Sequence, residues 1–210
     1  MKNGQSSKFE SGSLHVPDTD HIGGASEVLS AFEVSSIYHS GFYKSTVTYA
    51  NFLDAVAAEG CPVFTDEQVD PGDSISLSTS VTFMVLSIDA NAPDSNSASI
   101  VIKMSYGSID FLFTGDIDTT DESDLVYDTS FDLDIEILKV THHGSEYGTS
   151  DLFLTAATPE IGIICVGDNS YGHPAPETLE RLDSHDVTVY RTDLDGTITV
   201  TTDGSSWQVS

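Results

Sequence analysis

Asp18, Asp20 and His21, then Asp116, then the adjacent His142 and His143, then His173 are the side chains of this sequence whose types could act together. Carboxylates and neutral imidazoles are the ligands that hold hydrolytic divalent cations, and each of these residues lies on a loop marked by Gly or Pro. A His-His pair on a surface turn is commonly incidental, and so is a Gly-Asp pair. The weight comes from the company they keep. The chemistry such a set supports is hydrolysis by a water that one or two bound cations acidify.

These residues need strands that end at a common edge. The stretch Leu138 to Ser150 opens on the end of a strand, Ile135 to Val140, and runs out into a turn that carries His142, His143 and Gly144. Ile109 to Phe113, paired in a hairpin with Ala98 to Met104 around Tyr106-Gly107-Ser108, empties onto Thr114-Gly115-Asp116. Ile161 to Val166 reads as a buried strand, and the loop Gly167 to Pro176 carries His173. Helices are expected at Ala25 to Phe32, at Tyr49 to Glu59 ahead of Gly60, from Ser150 to Pro159, and at Glu177 to Asp183 behind Pro176. Shorter strands are expected at Val34 to Tyr38, Val63-Phe64, Ser74 to Leu77, Val81 to Ile88, Val187 to Tyr190 and Thr197 to Thr202. Asp118 to Asp134 reads as a solvated acidic helix and loop, and residues 1–13 as a flexible leader before a domain spanning 14–210. Strands alternating with helices in the second half argue a layered α/β fold with its loops gathered on one edge.

Composition narrows the setting. Against 34 acidic residues there are only 7 basic ones, a formal net charge of -27, while the apolar fraction is an ordinary 39%. A foldable chain with acids spread throughout reads as one that works in concentrated salt, which screens the self-repulsion. A broad basic face for nucleic acid is excluded, but a phosphodiester held by cations in a small cleft is not. Cys61 and Cys165 are expected to stay unbridged, with Cys165 a small buried hydrophobe, and no signal peptide or membrane-spanning run is read. A cytoplasmic, high-salt location follows from that reading. His39 and His185 are assigned to structure, and Trp207 and Tyr190 to packing at the end of the sheet.

Five motifs in order, Asp-Thr-Asp-His-Ile-Gly-Gly, Phe-Thr-Gly-Asp, Leu-Lys-Val-Thr-His-His-Gly-Ser, Tyr-Gly-His-Pro and Tyr-Arg-Thr-Asp-Leu-Asp-Gly, resemble the metallo-β-lactamase fold. Within it they are most similar to the hydrolase domain of ComEC-type competence proteins. The resemblance covers about Leu14 to Thr202. It implies an αββα sandwich, one or two divalent cations (Zn or Mn), and phosphodiesterase or nuclease activity, with DNA or another phosphodiester as substrate. Carried over by position, Asp18, Asp20, His21, Asp116, His142 and His173 correspond to metal ligands. Asp20 is placed to orient or deprotonate the attacking water, and His143 to assist catalysis, though which imidazole of the pair binds metal is open. Asn96 and Ser145 could hold substrate oxygens, or serve only ordinary turn hydrogen bonds.

The chain departs from the signature at its amino end. Val16 stands where the first His belongs, His15 lies one place early, and only polar residues precede the motif. The expected fold therefore lacks its first strands, either because the sequence is a fragment of a longer one or because a homo-oligomer or partner covers the exposed edge. The same departure keeps two other readings in view: a metal-free degenerate domain with an interaction role, and a metallo-hydrolase of another ester such as a thioester or lactone.

Overall fold

A computed structural model of the chain describes residues 8–9, 12–14, 16–76 and 80–210. The chain forms two compact units, Met1–Pro71 with Ser87–Ile100, and Gly72–Leu86 with Val101–Ser210.

In the first unit, β1 (Lys8–Phe9) pairs in parallel with β3 (Glu33–Val34), and β2 (Gly12–Leu14), β4 (Ile37–His39) and β5 (Val63–Phe64) form a parallel three-stranded sheet in the order β2-β4-β5. The described part of the stretch read as a flexible leader thus contributes two strands; its polar, aperiodic residues gave no sign of pairing. His15 lies outside the described residues. The helices are α1 (Thr19–Ile22), α2 (Ala25–Ala31) and α3 (Val47–Glu59). Thr46 caps α3 by accepting a hydrogen bond from the Tyr49 amide at 3.1 Å, and Gly60, at φ 70, ends it in the left-handed conformation. Tyr49, Phe52 and Val56 line one face of α3 and pack with Ile22, Ala25, Leu29, Val34 and Ile37 into this unit's core.

The second unit holds a seven-stranded sheet ordered β12-β11-β10-β9-β8-β7-β6. Its strands are β6 (Ser74–Ser76), β7 (Val81–Ser87), β8 (Val101–Tyr106), β9 (Ile109–Phe113), β10 (Ile137–Lys139), β11 (Ile161–Ile164) and β12 (Thr188–Arg191). β9 through β12 run parallel, while β8 pairs antiparallel with β9. The strands joined by helical crossovers are strongly apolar, as sheets covered on both faces require. Leu112, Leu138, Val140 and Ile164 point to the face covered by α4 (Thr119–Tyr127), α5 (Asp151–Ala157) and α6 (Pro176–Ser184), where Phe153, Leu154 and Leu182 are buried. Each such side chain adds roughly 1.5–3 kcal/mol on leaving water. Phe111, Ile137 and Ile161 point to the opposite face, together with Phe113, Ile163 and Tyr190, and meet Val200, Trp207 and Val209 of the hairpin β13 (Val200–Thr202) and β14 (Trp207–Val209). A short helix, α7 (Thr192–Asp195), follows β12.

The acidic block after Asp116 is not simply solvated. Asp118 caps α4 through the Thr120 and Asp121 amides, and Asp121 returns the bond to the Asp118 amide, a reciprocal capping box. That helix then buries Glu122 and Leu125. No helix among the described residues is long and apolar enough to cross a membrane.

Candidate metal centre

Because β9, β10 and β11 are parallel, their carboxyl ends share one edge, and Phe113, Lys139 and Ile163 lie side by side in the last register. Past that row the chain leaves β9 through Thr114 and Gly115 to Asp116, leaves β10 through Val140 into a 3-10 turn at Thr141–Gly144, and leaves β11 at Cys165. The His142 amide donates to the Gly115 carbonyl at 3.0 Å, tying the two loops together. His142, His143 and Gly144 then take three successive left-handed conformations, at φ 47, 55 and 82. For the two histidines that backbone costs on the order of 1–2 kcal/mol each, and it turns their rings apart, with centroids 6.1 Å from one another and planes 74° apart.

His143 is the imidazole that meets Asp116. Its Nδ1 lies 2.7 Å from the Cys165 carbonyl oxygen, and its Nε2 lies 3.6 Å from Oδ2 of Asp116, a residue only 3% exposed. Hydrogen bonding to Asp116 is the main cause that raises the His143 pKa, reinforced by that carboxylate's charge and opposed by burial and by the positive charge of Lys139. His142 instead faces His173, ring centroids 5.6 Å apart, and Tyr171 stacks on His173 at 5.9 Å. Burial, then the charges of His142 and His143, lower the His173 pKa, which keeps its lone pair available. Its Nδ1 is buried without a hydrogen-bond partner, while its backbone is fixed by Asn169 through the amide at 3.1 Å and the carbonyl at 2.8 Å.

The histidine loop is braced from two helices that the sequence did not connect to it. Glu122 of α4, fully buried, accepts from the Ser150 amide at 2.8 Å, from the Thr149 amide, and from the Thr141 hydroxyl at 3.3 Å. Arg181 of α6 takes the loop's carbonyls: Nε donates to Thr149 at 2.9 Å, and one terminal nitrogen donates to Gly148 at 2.8 Å and Glu146 at 3.1 Å. Thr178 donates to the Ser145 carbonyl at 2.8 Å. An acid thus satisfies the loop's donors and a base its acceptors. The spacing of Glu122 and Leu125 on one helical face was the available signal for burial, masked by the surrounding acids.

Gly144 is required at its position. Besides its positive φ, a Cβ there would meet the Pro174 Cβ at 2.6 Å, and its carbonyl accepts from the Ala175 amide at 2.8 Å. Gly144→Ala is expected to destabilise the protein by about 2 kcal/mol or more. An unchanged urea midpoint would show that the Pro174 segment yields at no cost.

The first unit carries the remaining carboxylate and histidine candidates. Asp18 forms an ion pair with Lys44 and accepts from the Ser95 hydroxyl at 3.0 Å. Asp20 is exposed on α1, and its carboxylate lies 3.8 Å from Nε2 of His21, whose side chain is 15% exposed. Asn96 sits in a turn whose Asp94 side chain accepts from the Asn96 amide at 2.9 Å. Ser145, in the second unit, is buried, and its hydroxyl accepts from the Tyr147 amide at 3.3 Å, which is the turn role read as its alternative. His39 accepts from the Gly41 amide at 3.1 Å beside the Phe52 ring, and His185 pairs with Asp151 at 3.1 Å. Cys165 is exposed instead of buried, because β11 ends at Ile164 although the apolar run continues.

The sequence profile of the Metallo-beta-lactamase superfamily matches residues 17–168. The chain belongs to the metallo-beta-lactamase superfamily. Its relatives within that superfamily include ComE operon protein 3 of Bacillus subtilis (strain 168), 33% identical over 183 residues that cover 86% of this chain and 23% of the relative. Competence protein ComA of Neisseria gonorrhoeae is 36% identical over 106 residues, 50% of this chain and 15% of that protein. The domain is consistent with a ComEC type, and the chain spans less than a quarter of the length of either relative. Among solved structures, CmlA, a diiron beta-hydroxylase from Streptomyces venezuelae, matches with a TM-score of 0.54 at 10% identity, covering 88% of this chain and 44% of that one; at that identity the likeness is one of fold.

The metallo-beta-lactamase fold implies a divalent cation, and the second unit's residues fit one. With Nδ1–H of His143 committed to the Cys165 carbonyl, the Nε2 lone pair is what turns toward Asp116. A lone pair facing a buried carboxylate is repulsive unless a proton or a cation lies between them. Asp116 and His143 are accordingly a possible metal-binding pair, as are Asp20 and His21 within the first unit.

Proposed function

We propose that this chain is a metal-dependent hydrolase of phosphodiesters, with DNA as the substrate class that the competence-protein relatives suggest. The observation that carries the reading is the His143 ring, oriented by a backbone carbonyl so that Nε2 addresses buried Asp116. Asp116 and His143 hold the cation, with His173 and His142 beside them in the same unit. Asp20 and His21, which correspond by resemblance to ligands of the superfamily signature, are proposed as further ligands, and Asp20 as the group that orients the attacking water. When bound, a divalent cation supplies Lewis-acid activation of that water and of the phosphoryl oxygen. Carboxylate-rich ligation suits Mn²⁺ as well as Zn²⁺.

A second reading, a metal-free domain with an interaction role, is favoured by one observation: Asp18 is occupied by Lys44 and Ser95. Elemental analysis of protein purified in concentrated salt without chelator separates the two. Bound transition metal, with hydrolysis of bis(p-nitrophenyl) phosphate and not of thioesters or lactones, is the expected result. A folded, metal-free chain would sink the hydrolase reading in favour of the second.

A further inference from the structure

In so acidic a chain cations are scarce, and of the five whose side chains are among the described residues four are held by partners. Lys44 pairs with Asp18, Arg191 with Asp193 at 2.7 Å, and Arg181 with the loop carbonyls. Lys103 is held by Asp110 at 2.9 Å and by the carbonyls of Asp132 and Asp134 at 2.9 and 2.8 Å. Lys139 differs. Its Nζ is buried and makes no hydrogen bond among the described residues. An ammonium shielded from water without a partner is costly, and the chain carries 34 carboxylates that could have supplied one.

Its position says what the charge is for. Lys139 is the last residue of β10, side by side with Phe113 and Ile163, and it shares their apolar face, so its stem lies along hydrocarbon. From each strand of that row the chain runs directly to the site: Phe113 to Asp116, Lys139 to His142 and His143, Ile163 to the Cys165 carbonyl. A lysine side chain is longer than the roughly 3.3 Å rise of one strand residue, so Nζ can reach the edge where these groups gather. Its charge is also felt at His143, whose proton affinity it lowers.

We propose that Lys139 is an anion-binding residue whose Nζ donates to a non-bridging oxygen of the substrate phosphate. The assignment of phosphate rests on the phosphodiesterase reading; the anion site itself does not. Bound there, the anionic oxygen supplies the missing partner, and the apolar walls at Phe113 and Ile163 strengthen the charge-assisted bond.

The test compares wild type with Lys139→Met and Lys139→Arg, as purified, by calorimetric titration with inorganic phosphate and with acetate, alongside metal content, diester hydrolysis and thermal unfolding. Lys139→Met is expected to weaken phosphate binding about tenfold or more and to slow hydrolysis by a similar factor at unchanged metal content, with Lys139→Arg within about threefold of wild type. Acetate, with a single negative charge and two oxygens, is expected to bind more weakly than phosphate and to lose affinity in Lys139→Met as well. In anion-free buffer Lys139→Met should unfold at the same temperature or higher, because an uncompensated charge has gone. A purely structural lysine would give the opposite, a lower unfolding temperature with phosphate affinity intact. That outcome, or wild type that binds no phosphate, overturns the proposal. Lys139-dependent phosphate binding without any diester hydrolysis would keep the anion site and sink the phosphodiesterase reading; hydrolysis equal in wild type and Lys139→Met, at equal phosphate affinity, would do the reverse.

Discussion

Asp116→Ala is expected to abolish tight metal binding and lower diester hydrolysis by about a thousandfold or more, roughly 4 kcal/mol of transition-state stabilisation. Loss of a group that merely orients a metal ligand already costs about 10–100-fold, and Asp116 is proposed as a ligand itself. Asp116 is 3% exposed and its carboxylate faces His143, so a water filling the vacated space would not restore the lost negative charge. Asp116→Asn keeps the shape and an oxygen but removes the charge, and should also lose metal. Elemental analysis and steady-state rates on the same preparations, with circular dichroism to confirm folding, check both. Full metal occupancy and a rate within about threefold of wild type in Asp116→Ala would remove Asp116 from the centre.

Glu122→Ala should produce the largest loss of stability. It would leave the buried amides of Thr149 and Ser150 and the Thr141 hydroxyl without their acceptor, at about 1–3 kcal/mol for each amide left unpaired. A total of about 3–4 kcal/mol would lower the unfolding temperature by roughly 10 °C in a chain of this size. The loop that loses its brace carries His142 and His143, so metal affinity should fall too. Glu122→Gln, which keeps one acceptor, should lose less and exposes the pH dependence. Burial raises the Glu122 pKa, outweighing the Ser150 and Thr149 amides and the hydroxyls that favour its charged form. A raised folded-state pKa means that the folded protein binds the proton more tightly than the unfolded chain. The stabilisation from that proton is full below the unfolded carboxyl value, about 4.3, and is lost as pH rises through the higher folded value. The stability of wild type relative to Glu122→Gln should therefore decline with rising pH across that window in chemical denaturation. A pH-independent difference would show that burial does not govern this carboxyl.

Much of this was legible because the parallel strands are short apolar runs that stop at turn residues, and because Asp116, His142, His143 and His173 all sit just past such stops. What could not be read depends on contacts between distant segments. Nothing local announces that Asp18 will be taken by Ser95, 77 positions away, and by Lys44. Which of His142 and His143 faces Asp116 is set by two left-handed backbone conformations and by a carbonyl just past another strand, none of which is a property of either residue's type. Glu122 was hidden for a different reason: it stands among Asp118, Asp121 and Asp124, none of them buried, and only the helical phase sets it apart. Cys165 misled because apolar character outlasts the strand by two residues, Cys165 and Val166. β1 and β2 show the converse, since backbone pairing there proceeds among residues without strand character.

The orientation of His143 by the Cys165 main-chain oxygen has an evolutionary corollary. A task performed by a carbonyl is indifferent to the side chain that accompanies it, and here that side chain points into solvent. Position 165 is therefore free to drift among residue types while its peptide stays fixed, so the anchor that orients the imidazole would pass for a variable site in any comparison of descendants. Selection on it would register one step away, in the strand spacing that sets where the peptide lies.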